Sequence, residues 1–168
     1  MQSKKVLPEQ FKKALHVIAN GVFVVSAQHD GKVRGFTATW VSQVSYEHRF
    51  VMVSASKEHD TYPLIVDSRT FVVNVLGASN VNLARYFGSA KRPDEPLELG
   101  YFKREDGSPT PVLADAMAYL KCKVVSTLDI IDHTIFVGEI EDAQVLRDEP
   151  PLIYYRRKGY VTLGPNRG

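Results

Sequence analysis

VFVVSAQHDGKVRGFTATWVSQVS, residues 22–45, reads as a chain folding back on itself. VFVVSAQ is a strand, HDGK is a hairpin turn built on Asp30-Gly31, and residues 33–45 form the return strand. Inside the return strand lies an odd run, GFTATW at 35–40. Glycine weakens a strand, two threonines bring hydroxyls, and the only tryptophan of the chain closes the run. Packing alone does not account for that mixture.

Outward from the hairpin the pattern continues. In PEQFKKALHVIANG, Phe11, Ala14, Leu15, Val17 and Ile18 recur at helical spacing and Asn20-Gly21 supplies a stop, which predicts a helix with one buried face. RFVMVSA is a third strand, and DTYPLIVDS a short helix that Asp60 or Thr61 can cap, with Pro63 tolerated in its first turn. TFVVNVL returns to strand. SNVNLARYFGS carries Val81, Leu83, Ala84 and Phe87 on a helical period, and about 25 residues rich in proline, glycine and charge then form a long loop. The last third is strand-like: AYLKCKVVSTL, TIFVGEIEDAQVL and LIYYRRKGYVTL, with RRKG as another turn. No internal repeat or low-complexity linker divides the chain, so one domain over 1–168 is expected, with its core at about 8–160. Strands separated by turn signals, with helices inserted rather than alternating, give a mainly β (α+β) class: an antiparallel barrel with helices packed on it, not a parallel doubly wound sheet.

Composition agrees. A chain of 168 residues with 44% hydrophobic and 24% charged residues suits a compact domain with a sizeable core and excludes disorder. The formal charge is +2, from 21 basic and 19 acidic residues, so nothing points to a nucleic-acid or anionic-membrane surface. Cys122 is the only cysteine and cannot make an internal disulfide, and the polar start MQSKKVLPEQ lacks the apolar stretch of a signal peptide. The cytoplasm is the expected compartment. No apolar run approaches the roughly 20 residues needed to span a bilayer.

The missing motifs narrow the chemistry. GxGxxG, GxxxxGK[ST] and GxSxG do not occur. The histidines, at 16, 29, 48, 59 and 133, form no HExxH and no i, i+4 pair, so no metal site is expected. What the chain offers is small and polar groups at strand ends. Gly35, Thr37 and Thr39 fall on one face of a strand, and Ser54, Ser56, Lys57, His59 and Thr61 crowd a strand–helix junction. Within eight residues, SASKEHDT supplies backbone amides at a helix start, hydroxyls and a cation, which is what a phosphate needs. The same segment also fits a solvated Lys57 beside a capped helix.

Taken together, NGVFVVSA, GFTATWVSQVS, VMVSASKEHDT, SRTFVVNVL, NLARYFGS, DHTIFVGEI and PLIYYRRKGY follow the order and spacing of the flavin reductase-like family, which the chain resembles from about residue 11 to residue 160. The resemblance implies an FMN-binding split barrel, with FAD as a possible alternative flavin and NADH or NADPH as hydride donor. It lays Ser54, Ala55, Ser56, Lys57, His59 and Thr61 against the flavin's ribityl phosphate. It also sets the backbone of Gly35, Phe36, Thr37, Ala38, Thr39 and Trp40 along the edge of the ring, where Gly35 and Ala38 permit close approach. Arg85, Phe87 and Tyr154 complete the implied cofactor set, and His133 is the implied catalytic residue beside the flavin face. Read without the family, His133 is also a strand-start histidine bonded to its own loop, and Tyr154 and Tyr155 are edge packing. Cys122 reads as a small hydrophobe between Leu120 and Val124.

The chain departs from the common pattern in two places. Thr39 and Trp40 stand where many members have asparagine and serine, a variant similar to the reductase-like module fused to flavodiiron proteins. His48 and Arg49 replace a proline pair, and Arg49 is expected to face solvent. Nothing in the sequence activates a nucleophile, so a cofactor must supply the chemistry. The resemblance implies hydride transfer from NAD(P)H to flavin, with reduced flavin or electrons passed to a partner monooxygenase or another acceptor, by a homodimer. Two alternatives stay open: an FMN-retaining electron carrier of the flavoredoxin type, and a non-catalytic split barrel that binds flavin or haem.

Overall fold

The computed structural model describes residues 6–90, 100–103 and 112–164. Most of the long loop expected after residue 89 therefore lies outside the described residues. Along the chain come helix α1 (Glu9–Leu15), strands β1 (Ala19–Gly21), β2 (Phe23–His29), β3 (Lys32–Ala38), β4 (Val41–Gln43) and β5 (Phe50–Ser56), and helix α2 (Thr61–Ser68). Strand β6 (Thr70–Val75), a 3-10 turn at Ala78–Asn80 and helix α3 (Val81–Phe87) follow. Two short strands, β7 (Phe102–Lys103) and β8 (Val112–Leu113), precede the long pair β9 (Ala118–Ile130) and β10 (His133–Val145). The last hairpin is β11 (Leu152–Tyr155) and β12 (Gly159–Thr162), turned at the expected RRKG.

The β2–β3 hairpin forms as the turn chemistry requires. His29 pairs with Lys32, and Asp30 and Gly31 both take positive φ, 46° and 76°, the two-residue turn whose twist matches the strands. Beyond it the return strand does not run on to residue 45. It breaks at Thr39-Trp40, and that break closes the fold. The seven-stranded antiparallel sheet has the order β3-β2-β6-β9-β10-β5-β4, so β3 and β4 are its two edges. Flat, those edges would lie about 29 Å apart. The connection from Ala38 to Val41 reaches about 11 Å at most. The sheet must curl until its edges meet, and the Trp40 carbonyl, accepting from the Ser54 amide at 3.0 Å, carries the corner across to β5.

Curling gives the sheet an inside and an outside. Val25, Phe36, Val53, Phe71, Cys122 and Phe136 fill the barrel, while Val22, Val24, Leu76, Ala84, Phe87 and Leu152 form a second core outside it, under α3. Strand β2 is thus buried on both faces, which is why VFVV reads as a continuous apolar run rather than an alternation. Its buried polar neighbours are satisfied. The Asn74 amide donates to the Val24 carbonyl at 2.9 Å and to Ser26 Oγ at 3.0 Å, and its oxygen accepts from the Leu113 amide at 2.8 Å. Among the described residues no helix is long and apolar enough to cross a membrane.

Two local expectations need correction. No residue of α1 is buried, and Phe11 and Leu15 are 55% and 53% exposed, because no other part of the described chain covers the apolar stripe. The expected stop, Asn20-Gly21, is instead part of β1, which pairs with β11. At α2 neither Asp60 nor Thr61 makes a side-chain cap. Asp60 already has helical φ and ψ, −62° and −20°, whereas a capping residue stands in extended backbone, and the Thr61 hydroxyl donates to the Asp60 carboxylate at 3.3 Å.

Candidate functional site

The end of β3, the β5–α2 turn and the end of α3 enclose a cavity of about 330 Å³, walled by Phe36, Thr37, His59, Asp60, Phe87 and Gly88 among others. Thr37 fixes one wall by donating its hydroxyl to the Ala84 carbonyl at 2.7 Å, and the Phe36 ring lies 4.3 Å from the His59 ring, centroid to centroid. A side chain on Gly88 would start 3.0 Å from the Ala84 carbonyl and 3.7 Å from Thr37 Cβ, so glycine keeps that wall thin. The turn itself is tightly tied. The Ser56 hydroxyl accepts from the Glu58 amide and the Ser56 carbonyl from the His59 amide, both at 3.2 Å. The Lys57 amide donates to the Asp132 carbonyl at 3.0 Å, pinning SASKEHDT to the β9–β10 hairpin.

Charge at this turn is organised in pairs. Lys57 Nζ stands 3.4 Å from Asp129 Oδ1, and Arg34 Nε 3.5 Å from Asp60 Oδ2. Asp129 Oδ1 also accepts the Thr134 hydroxyl at 2.7 Å, so the Tyr62 hydroxyl, 2.9 Å from Thr134, is the donor to it. The Thr134 hydrogen bond, then Lys57, holds the Asp129 carboxyl below its ordinary value.

On the other side of the corner, Thr39, Trp40 and Tyr154 line a second cleft of about 560 Å³ together with Leu15, His16 and Ile18 from around α1. The Trp40 indole is 55% exposed, and its ring centroid lies 5.2 Å from that of His133. His133 faces Ser56 across the β10–β5 ladder, and its Nδ1 is 3.2 Å from Asp132 Oδ1, which orients the imidazole. Tyr154 meets Tyr160 edge-on at 5.4 Å. Burial, then Tyr154, raises the Tyr160 hydroxyl, and the charge of Arg85, in the last turn of α3, opposes the shift.

The residues singled out in the sequence therefore divide. Phe36, Thr37, His59 and Phe87 wall the first cavity, and Ser56 and Lys57 form the turn beside it. Thr39, Trp40 and Tyr154 line the second cleft, with His133 next to Trp40. The side chains of Ala38 and Ala55 go into the barrel core, and Thr61 is fully buried. Gly35 packs outward, where a Cβ would stand 3.2 Å from Val24 Cγ1 and 3.4 Å from Phe102 Cζ. Ser54 ties its amide to Trp40. Arg49 lies on the surface, 3.4 Å from Glu139.

Sequence reasoning missed Glu58, Asp60, Gly88 and Asp129 as site residues. Glu58 and Asp60 were visible inside SASKEHDT and Gly88 inside NLARYFGS; weighing only cations and hydroxyls hid the carboxylates. Asp129 carried no local signal, because only the β9–β10 and β10–β5 pairings together bring it to Lys57. Chemically, the site offers hydroxyls and one lysine to an anion, and, past the corner, an exposed flat ring with a histidine beside it for a planar ligand.

Known proteins share both the sequence pattern and the fold. Residues 15–164 match the flavin reductase like domain. The reductase component of 4-nitrophenol 4-monooxygenase/4-nitrocatechol 2-monooxygenase from Rhodococcus opacus is 34% identical over 147 residues, 88% of this chain and 77% of that protein. The reductase component of 4-hydroxyphenylacetate 3-monooxygenase from Thermus thermophilus is 32% identical over 157 residues, 94% of this chain and 97% of that protein. The structure of flavin reductase PheA2 superposes with a TM-score of 0.80 at 28% identity, over 95% of this chain and all (100%) of that one.

Proposed function

Because this chain belongs to the flavin reductase-like family, its domain covering residues 15–164, we propose that it is an NAD(P)H-dependent flavin oxidoreductase delivering reduced flavin to a partner monooxygenase. The relatives named as reductase components of two monooxygenases support that destination. When bound, the flavin supplies the ring that accepts a hydride and gives up electrons, chemistry no side chain here provides.

The observation that carries the reading is the Trp40–His133 pair on one side of the Lys57 turn, rings 5.2 Å apart, at the corner where the sheet closes. The residues fit a flavin mononucleotide by donor chemistry. Lys57 and the hydroxyls of Ser54 and Ser56 would hold the phosphate. The main chain of residues 35–40 would hold the edge of the ring, while the side chains of Thr37 and Ala38 serve the fold. The exposed Trp40 indole would offer the ring a flat apolar contact. His133, steadied by Asp132, orients the carboxamide of the dinucleotide and so favours the geometry for transfer.

The proposed assembly is a cytoplasmic homodimer with each flavin close to the subunit boundary. Two features support a second copy. The stripe of α1 lies bare beside the Trp40 cleft. At the tip of the β9–β10 hairpin, Ile131 takes a left-handed φ of 39° with its side chain 83% exposed, a conformation costing a β-branched residue about 1–2 kcal/mol. A contact across the boundary offsets that strain. The one cysteine, a buried free thiol, suits a reducing compartment.

An absorbance scan of the purified protein, followed by NADH addition with and without excess FMN, tests the function. Turnover of free flavin is the expected result. Reduction of bound flavin alone would make the protein an electron carrier instead, and no reduction at all a binder.

A further inference from the structure

The lysine of the SASKEHDT turn is shared. Lys57 Nζ lies 3.4 Å from Asp129 Oδ1, the same oxygen that accepts the Thr134 hydroxyl at 2.7 Å. Thr134 is buried on β10 and is backed by Tyr62 of α2 at 2.9 Å. Two elements therefore fix the position of this carboxylate although its side chain is 71% exposed. An acidic group so placed has two opposite effects on an anion site. It aims the ammonium, and it lowers the positive potential that an arriving anion meets. The lysine has three N–H donors to divide between the two partners.

Resting on the reading of this turn as a phosphate subsite, we infer that Asp129 is a positioning residue that limits how tightly the phosphate is held. It holds the Lys57 ammonium beside β9 and keeps part of its charge engaged, so that the mononucleotide is bound and then let go rather than retained. That behaviour suits a protein that passes its flavin on. Thr134 and Tyr62 act one step further back, since they keep the carboxylate in place.

Asp129→Asn tests this, because an amide still accepts from Thr134 and Lys57 but carries no charge. FMN and riboflavin, which differ only in the phosphate, are titrated into the wild type, D129N, D129E, K57A and the D129N/K57A double variant, at low and high salt. D129N is expected to bind FMN about 3- to 10-fold more tightly, with riboflavin unchanged and with the gain shrinking as salt rises. D129E, which keeps the charge, stays near wild type, and the gain disappears in the K57A background. A wild-type or lowered FMN-to-riboflavin preference in D129N overturns the inference. So does a gain that persists without Lys57. If K57A lowers the preference while D129N is inert, only the role of Asp129 falls; if K57A changes nothing either, the phosphate subsite falls with it.

Discussion

The imidazole of His133 and the indole of Trp40 stand 5.2 Å apart with their planes tilted by 53°, although one begins β10 and the other ends the corner between β3 and β4. The pair exists only because the sheet closes, and it makes His133 the residue to test for hydride transfer. His133→Ala is expected to leave FMN bound, raise the apparent KM for NADH and slow bound-flavin reduction by about 10- to 100-fold, equivalent to roughly 1.4–2.7 kcal/mol. Anaerobic stopped-flow reduction measures this without interference from product release. Wild-type rates with unchanged NADH dependence would leave the histidine as a residue bonded to its own loop through Asp132.

The bare stripe of α1 predicts self-association. Light scattering of the flavin-loaded protein at micromolar concentration should return twice the 18.8 kDa mass of one chain. Replacing Leu15 and Ile18 by serine should shift the population toward monomer and weaken flavin binding together, since both residues line the Trp40 cleft. A flavin-loaded monomer in the unaltered protein would count against the dimer.

Gly138 has no room for a side chain. A Cβ there would lie 2.6 Å from Phe71 Cζ and 2.8 Å from Cys122 Cβ, at a position where the β9–β10 register shifts. Gly138→Ala should therefore lower stability by about 1–3 kcal/mol, the usual cost of overpacking a core, and trimming Phe71 to leucine in the same chain should restore part of it. Chemical denaturation of the unaltered protein and the two variants decides the matter; equal midpoints would show that the barrel relaxes freely.

Burial, with the nearby charge of Glu141 adding to it, pushes the Cys122 thiol up from its ordinary 9.0 to about 12. The folded protein therefore keeps it as a thiol, and thiol reagents at neutral pH should react only as the chain unfolds, at a rate that rises with denaturant. The sign for stability follows. A group whose folded value is raised contributes fully below pH 9.0, and its contribution is lost as pH climbs toward about 12. Prompt labelling under native conditions would contradict the burial.

Much of this molecule was legible locally. Asp30-Gly31 specified its hairpin, VFVVSAQ marked a strand, and the short helix at 61–68 and the helical period at 81–87 appeared where expected. The order and spacing of seven short blocks were enough to imply the family. Within the site, the polar groups of SASKEHDT were readable because a strand–helix junction brings them together over eight residues, whatever the rest of the chain does.

What tertiary structure alone decided was the meaning of GFTATW. The sequence by itself determined a weak strand with small and polar residues; the strand order made Thr39 and Trp40 the corner that joins two opposite edges of the sheet. It also decided that Gly35 packs under Phe102, that Ala38 points into the barrel, and that Asp129 shares Lys57. The physical reason is range. Turn chemistry and periodicity act over a few neighbouring residues, whereas barrel closure depends on pairings such as Ser56 with His133, and no local preference encodes which distant strand a given edge will meet.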